Sequence, residues 1–218
     1  MFSEFTHDGF LTTLQNYNLD IWPLQIFSYV LGIFAIILVI KKTQFSNRVI
    51  SLILTLYWFW NGIIFSMIYW SSSFKYAYIF GVLLIIQGAI FLISYIKQNI
   101  SFSYRSDFYS TIGIILILYS MIGYPIIGLF IGHVYPHFFP FGLVPCPTTI
   151  FTLGLLLWTE RMLPKYIIII PALWSLSGYI AVSRGIYEDI GLIALGLLAV
   201  FLIFYRDLQQ KTAISNAI

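Results

Sequence analysis

Three histidines, one cysteine, a pair of threonines and two mid-helix amides are the residues of this sequence with chemistry to offer. His133 and His137 precede Cys146, and Thr148 and Thr149 follow it, all within one proline-rich run. A cysteine near the start of a helix tends toward the thiolate, and imidazole with thiolate is a ligand set for zinc or copper. The same residues read as an enzyme give a Cys–His nucleophile pair, Cys146 with His133 or His137. Tyr135 and Pro136 lie between the two histidines and keep them off a shared helix face, and no paired-cysteine spacing accompanies them. No carboxylate of the loop orients a base. The bland reading is interfacial histidines beside a small buried thiol.

Asn61 and Gln87 fall in the middle of long apolar runs. Their expected depths differ by about 5 Å, so a hydrogen bond between their two helices is the simplest reading. Lining a polar pathway is the functional one. Glu188 and Asp189 open the last apolar run four residues after Arg184. Carboxylates there answer the helix dipole. Pro125 and Pro171 interrupt helical runs, and each strands the carbonyl four residues earlier, at Met121 and Ile167. Gly128 and Gly132 form a GxxxG pattern that permits close helix approach.

The elements that position these residues are helices in lipid. Sixty per cent of the 218 residues are hydrophobic and 9% are charged, against roughly a quarter charged in a soluble domain. Aromatics at 19% suit belts at two membrane interfaces. Bilayers leave unpaired backbone groups without partners, so the long apolar runs are helices. The predicted fold is an all-α polytopic bundle of seven transmembrane helices, over 22–40, 49–70, 75–96, 108–131, 147–163, 164–183 and 189–205, in a single domain of 1–218. Lys41, Lys42, Arg48, Lys97, Arg105, Arg161, Lys165, Arg206 and Lys211 flank one set of helix ends; only Lys75 and Arg184 flank the other. Positive residues mark the cytoplasmic side, which puts the N-terminus outside and the C-terminus in the cytoplasm. Residues 1–21 have no Lys or Arg and no cleavable apolar core, so they do not read as a signal peptide. Phe2, Phe5, Phe10, Leu14 and Tyr17 are spaced for an amphipathic segment on the outer interface. Residues 209–218 read as a short frayed tail.

The fifth helix is the unusual one. Only about 14 residues separate Pro147 from Glu160, where about 20 cross the core. Upstream, 132–147 carries Pro136, Pro140, Pro145 and Pro147 among Phe138, Phe139, Phe141, Leu143 and Val144. The prolines forbid regular helix, and the apolar residues suit a partly re-entrant segment that turns into helix at 146–148. That helix start would present free N–H groups and hydroxyls to a cavity. The candidate ligand-binding set is therefore His133, His137, Cys146, Thr148, Thr149, Asn61 and Gln87, and the candidate metal set is His133, His137 and Cys146.

Several functions are excluded. The last helix has no lysine for a retinal Schiff base, and no P-loop, dinucleotide fingerprint or H-E-x-x-H occurs. No basic soluble surface suits nucleic acid. The sequence carries N-L-D-I-W-P-L-Q at 18–25, W-F-W-N-G at 58–62, Tyr124-Pro125, G-H-V-Y-P at 132–136 and F-G-L-V-P-C-P-T-T-I-F-T-L-G at 141–154. In these it resembles a family of uncharacterised bacterial multi-pass membrane proteins, a domain of unknown function, over nearly the whole chain. The resemblance implies the bacterial cytoplasmic (inner) membrane and no particular activity. The expected partners are the lipid bilayer and a small solute or ion. No cofactor is expected beyond a metal ion at the His/Cys set. The function expected first is binding or transport of that solute through an outward-facing cavity at the fifth helix. The alternatives are a membrane-embedded enzyme or metal-handling protein, and a structural or partner subunit of a membrane complex.

Overall fold

The computed structural model describes residues 5–216, so the place expected for Phe2 lies outside the described residues. Among these, eight helices follow one another: α1 (His7–Asp20), α2 (Leu24–Ile40), α3 (Ser46–Ser72), α4 (Ala77–Lys97), α5 (Phe108–Phe130), α6 (Pro145–Leu157), α7 (Tyr166–Val182) and α8 (Asp189–Asn216). The described residues hold no strand, only an isolated bridge between Phe102 and Thr159. Helices α3, α4, α5 and α8 are each long and apolar enough to cross a membrane; α1 and α2, bent by 85° at their junction, make a fifth candidate if taken together. The apolar α6 and α7 are shorter, at 13 and 17 residues. Helix is found in each of the seven predicted runs, though the one expected over 147–163 stops at Leu157 and the next begins only at Tyr166; four helices, or five counting the bent pair, qualify as spans by length and composition. Large apolar side chains such as Phe27, Ile79, Phe201 and Leu208 cover the outside of the bundle, a surface suited to lipid rather than water.

The short α6 is the centre of the bundle. Pro145 and every residue from Pro147 to Leu157 are buried, with α3, α5, α7 and α8 packed around them. A helix apolar on all sides belongs in such a position. Its far end is capped from another helix: Arg206 of α8 donates to the carbonyls of Leu156, Leu157 and Thr159 at 3.3, 3.1 and 3.2 Å, a cation answering the negative end of the dipole. Beside it, Asp207 accepts from the Leu163 amide and from Lys165, each at 3.1 Å. These contacts hold the end of α8 against the bundle. The helix continues to Asn216, where the sequence reading placed a frayed tail from 209. At the same end Lys42 meets Glu160 at 2.8 Å and Ser101 donates to that carboxylate at 2.8 Å.

The π-helical turns lie at the opposite end. Helix α3 widens to π-helical turns over Asn61–Tyr69, and α5 does so over Tyr119–Gly123, ending two residues before Pro125. From 132 to 144 the chain is non-helical, yet Phe139, Phe141, Leu143 and Val144 are buried. The carbonyls of this segment are taken by side chains: Tyr17 donates to Leu143 O at 2.6 Å, Asn18 to Pro136 O and Phe138 O at 2.7 and 2.8 Å, Asn61 to Gly142 O at 3.0 Å, and Ser28 to Phe141 O. Buried irregular backbone needs such partners.

The two carbonyls stranded by proline are also met. Tyr29 donates to Met121 O at 2.9 Å and Gln87 to Ile167 O at 3.0 Å. Asn61 and Gln87 are both fully buried, but they do not bond to each other as expected. Each is spent on a carbonyl that irregular backbone leaves open.

Candidate functional site

Two glycine-terminated helix ends build the site. Helix α5 closes with Gly132 at φ +94°, where Gly132 N donates to Leu129 O and His133 N to Gly128 O. Helix α7 closes the same way with Gly185 at φ +92°, Gly185 N donating to Val182 O and Ile186 N to Ala181 O. Both are Schellman ends, which favour glycine at the left-handed position. The first presents His133 and the second leads into Glu188 and Asp189. Gly128 leaves the room they need: a Cβ there would stand 3.0 Å from Glu188 Oε1.

His133 Nδ1 lies 2.5 Å from Glu188 Oε1, with both side chains buried. His133 Nε2 faces His7 Nε2 of α1 at 3.4 Å, and His7 Nδ1 faces the exposed Asp8 at 3.2 Å. Glu188 Oε2 is buried without a hydrogen-bond partner. The next residue, Asp189, is 1% exposed. It accepts from the Tyr124 hydroxyl at 2.5 Å and from the Cys146 thiol at 3.2 Å. Tyr124 begins the α-helical turn that follows the π-turn of α5, a local widening often found at functional positions.

Asp189 and Cys146 line a largely enclosed cavity of about 80 Å³. Its walls are aromatic, drawn from Phe5, Phe10, Trp70, Phe80, Phe139 and Trp174 among others. The indole N–H groups of Trp70 and Trp174 are buried with no acceptor in hydrogen-bond geometry, that of Trp174 lying beside the Cys146 sulfur. Its lining brings together one carboxyl group, one thiol and several rings, with the Trp70 indole among them.

The predicted site residues are dispersed by this arrangement. Cys146 reaches the cavity and His133 stands behind it through Glu188. His137 bonds instead to Gln15 at 3.2 Å. The hydroxyls of Thr148 and Thr149 turn back to Val144 O and Pro145 O at 2.7 and 2.8 Å. The helix start is poor in donors: α6 begins at Pro145, two of its first three residues are prolines, and the Val144 amide is spent on Pro140 O. Only Cys146 has a first-turn N–H to offer, so the expected array of free donors does not form. Cys146 and His133 are each engaged by a different carboxylate, so no Cys–His pair is assembled. Among the described residues no group of three or more His, Cys, Asp or Glu side chains is placed to hold a metal ion. Sequence reading assigned Glu188 and Asp189 to the helix dipole and missed that His133 meets the first and Tyr124 and Cys146 the second. The local signals for this half of the site were the two glycines that end α5 and α7.

No curated protein and no solved structure matches the chain. A family model described as a family of unknown function, DUF6064, matches residues 7–214. That match covers nearly all of the sequence, including His7, Tyr124, His133, Cys146, Glu188 and Asp189, and the chain belongs to this family of unknown function.

Proposed function

We propose that this protein crosses a bacterial cytoplasmic membrane seven times, with its N-terminus outside, and binds a small solute in the cavity between Asp189 and the aromatic wall. The observation that carries the binding is the cavity itself. A carboxyl group and a thiol meet at 3.2 Å in one cavity, beside an aromatic wall that includes the unpaired Trp70. Seven crossings are supported by the alternation of α2 to α8 between two ends of the bundle, one of which brings together Lys42, Glu160, Lys165 and Arg206 with their partners. The buried segment from 139 to 144 lengthens the path of the short α6, so its re-entry makes up the missing thickness. Irregular backbone and proline in α5 and α7 place bends beside the cavity, where transport of the solute would require movement.

The test is native mass spectrometry of the protein released from detergent, together with thermal unfolding in a panel of small solutes, on the wild type and on Ala181→Phe. Ala181 lines the cavity, and a phenyl group there fills it. A solute that is retained by, or stabilises, the wild type and not Ala181→Phe is the expected result. A panel that shifts neither protein, with nothing retained, would show the cavity to be a packing defect.

A further inference from the structure

We infer that the cavity selects a small ammonium cation bearing one hydrogen-bond acceptor, of the size of 2-aminoethanol; this rests on the binding role proposed above. Three observations converge. The first is charge. The residues lining the cavity include Asp189 and no Lys, Arg or His. The groups that act on Asp189 are two neutral donors, Tyr124 and Cys146, and a second carboxylate, Glu188. The cation nearest in the sequence, Arg184, is engaged on the carbonyl of Phe5 at 2.5 Å, and His133 bonds to Glu188. A carboxylate buried without a counter-charge is costly. An ammonium group supplies the missing charge and its own donors.

The second observation is the buried indole N–H of Trp70, which lines the cavity without an acceptor, whereas that of Trp174 lies on the Cys146 sulfur. A bare alkylammonium has only donors and leaves it unmet. A hydroxyl or ether oxygen on the ligand accepts from it. The third is size and wall chemistry. Eight aromatic rings line the cavity. They pack on one another, Trp70 stacked on Phe80 at 5.6 Å and Trp174 edge-on to Phe80 at 5.6 Å. Such walls accommodate an organic cation and its methylenes, not a hydrated metal ion. A cavity of about 80 Å³ is about half the ~150 Å³ that admits benzene, which limits the ligand to a few heavy atoms.

Cys146 provides the test, since it is the single cysteine and lines the cavity. Purified protein in detergent is treated with methyl methanethiosulfonate, a small uncharged thiol reagent, and the rate of Cys146 modification is measured by mass spectrometry. The rate is compared without ligand and with 2-aminoethanol, propylammonium or propan-1-ol titrated into the millimolar range. The expected order of protection is 2-aminoethanol, then propylammonium, then propan-1-ol. The half-protecting concentrations of the first and last should differ by about tenfold or more, the worth of one charge-assisted hydrogen bond. In Asp189→Asn, with protection taken as a ratio within that variant, the charge preference should vanish. The comparison of ligands on the wild type stands even where that variant does not fold.

Equal protection by propan-1-ol, or none by either amine, overturns the assignment of ligand class. Cys146 that is inert in the folded protein but modified once unfolded instead overturns the accessible cavity, and with it the binding role. The same ammonium chemistry occurs in solution and on lipid headgroups. Protection by phosphatidylethanolamine vesicles, compared with phosphatidylcholine vesicles, assigns the source to the bilayer; protection by the soluble amine assigns it to solution.

Discussion

Gln87 exists, on this structure, to serve a carbonyl that a proline has abandoned. Pro171 has no N–H to give to Ile167 O, and Gln87 Nε2 reaches that oxygen from α4 at 3.0 Å. The perturbation is Gln87→Leu, alone and with Pro171→Ala. Leucine removes the donor and leaves Ile167 O buried, at about 1–3 kcal/mol. It also removes Gln87 Oε1, which is itself buried without a partner, so part of that cost is returned. The net expectation is a loss of about 1 kcal/mol. Alanine at 171 restores a backbone N–H four residues after Ile167. In that background the glutamine is redundant as a donor and Gln87→Leu should cost less.

The coupling energy expected between positions 87 and 171 is about 0.6–1.7 kcal/mol, the range for interhelical hydrogen bonds in membranes. The propensity gained by replacing proline, about 3 kcal/mol, appears on both legs of the cycle and cancels. The assay is reversible unfolding in mixed micelles followed by tryptophan fluorescence, for which the chain has six tryptophans. Additivity of the two substitutions within about 0.3–0.5 kcal/mol would refute the reasoning, because the glutamine would then be stabilising something other than the gap left by the proline.

Three further outcomes are expected. Glu188→Gln alone disrupts the buried hydrogen bond to His133 and should destabilise by about 1–3 kcal/mol in the same micellar unfolding assay, whereas replacing both partners by apolar residues of similar volume should cost less. Glu160 is held at a pKa of about 2, below the usual carboxylate range, chiefly by its hydrogen bond from Lys42. Its contribution is therefore complete above its unfolded pKa and is lost as the pH falls through about 2. With side chains 31% and 38% exposed the effect is small and screened by salt, and Lys42→Met should abolish it in acid-unfolding curves. In a Cys146→Ser background, cysteines at the exposed Ser72 and Gln209 should be labelled by an impermeant maleimide from opposite sides of sealed vesicles; labelling of both from one side would remove the seven-span topology.

Much of this architecture was legible because it is local. Apolar runs give helices, a proline gives a stranded carbonyl four residues back, and four prolines among phenylalanines give buried backbone that is not helix. The partners were not legible because they are distant. Ile167 O is met from Gln87, 80 residues away, and Met121 O from Tyr29, 92 residues away. Sequence can say that a carbonyl needs a donor, but not which donor arrives. Glu188 and Asp189 show the same limit more sharply. Two acids at a helix start look alike whether they face water or are buried, and only the fold reveals that one meets His133 and the other meets Tyr124 and Cys146. His7 is joined to His133 across 126 positions, and no spacing rule connects an N-terminal segment to a loop between the fifth and sixth helices.

The placement of irregular backbone separates the two ends of the molecule by role. At the Arg206 end, helix ends are closed by charge: a guanidinium on three carbonyls of the α6 terminus, Asp207 on an amide and a lysine, Glu160 between Lys42 and Ser101. Among the described residues no π-turn falls at that end, although the loop 98–107 is non-helical and opens with Gln98 at φ +50°. At the His133 end lie the π-turns of α3 and α5, the non-helical stretch from 132 to 144 and both left-handed glycines that end helices. Each departure costs regular hydrogen bonds that side chains from other helices must replace. Tyr17, Asn18, Ser28 and Asn61 do so for the loop, and their amides and hydroxyls are largely consumed by it. At that end Asp189 is met by Tyr124 and Cys146, while Glu188 Oε2 and the Trp70 indole N–H stay without partners in and around one cavity. A bundle built only to be stable would have no reason to unwind there. The unspent groups are therefore where a ligand's chemistry is to be sought.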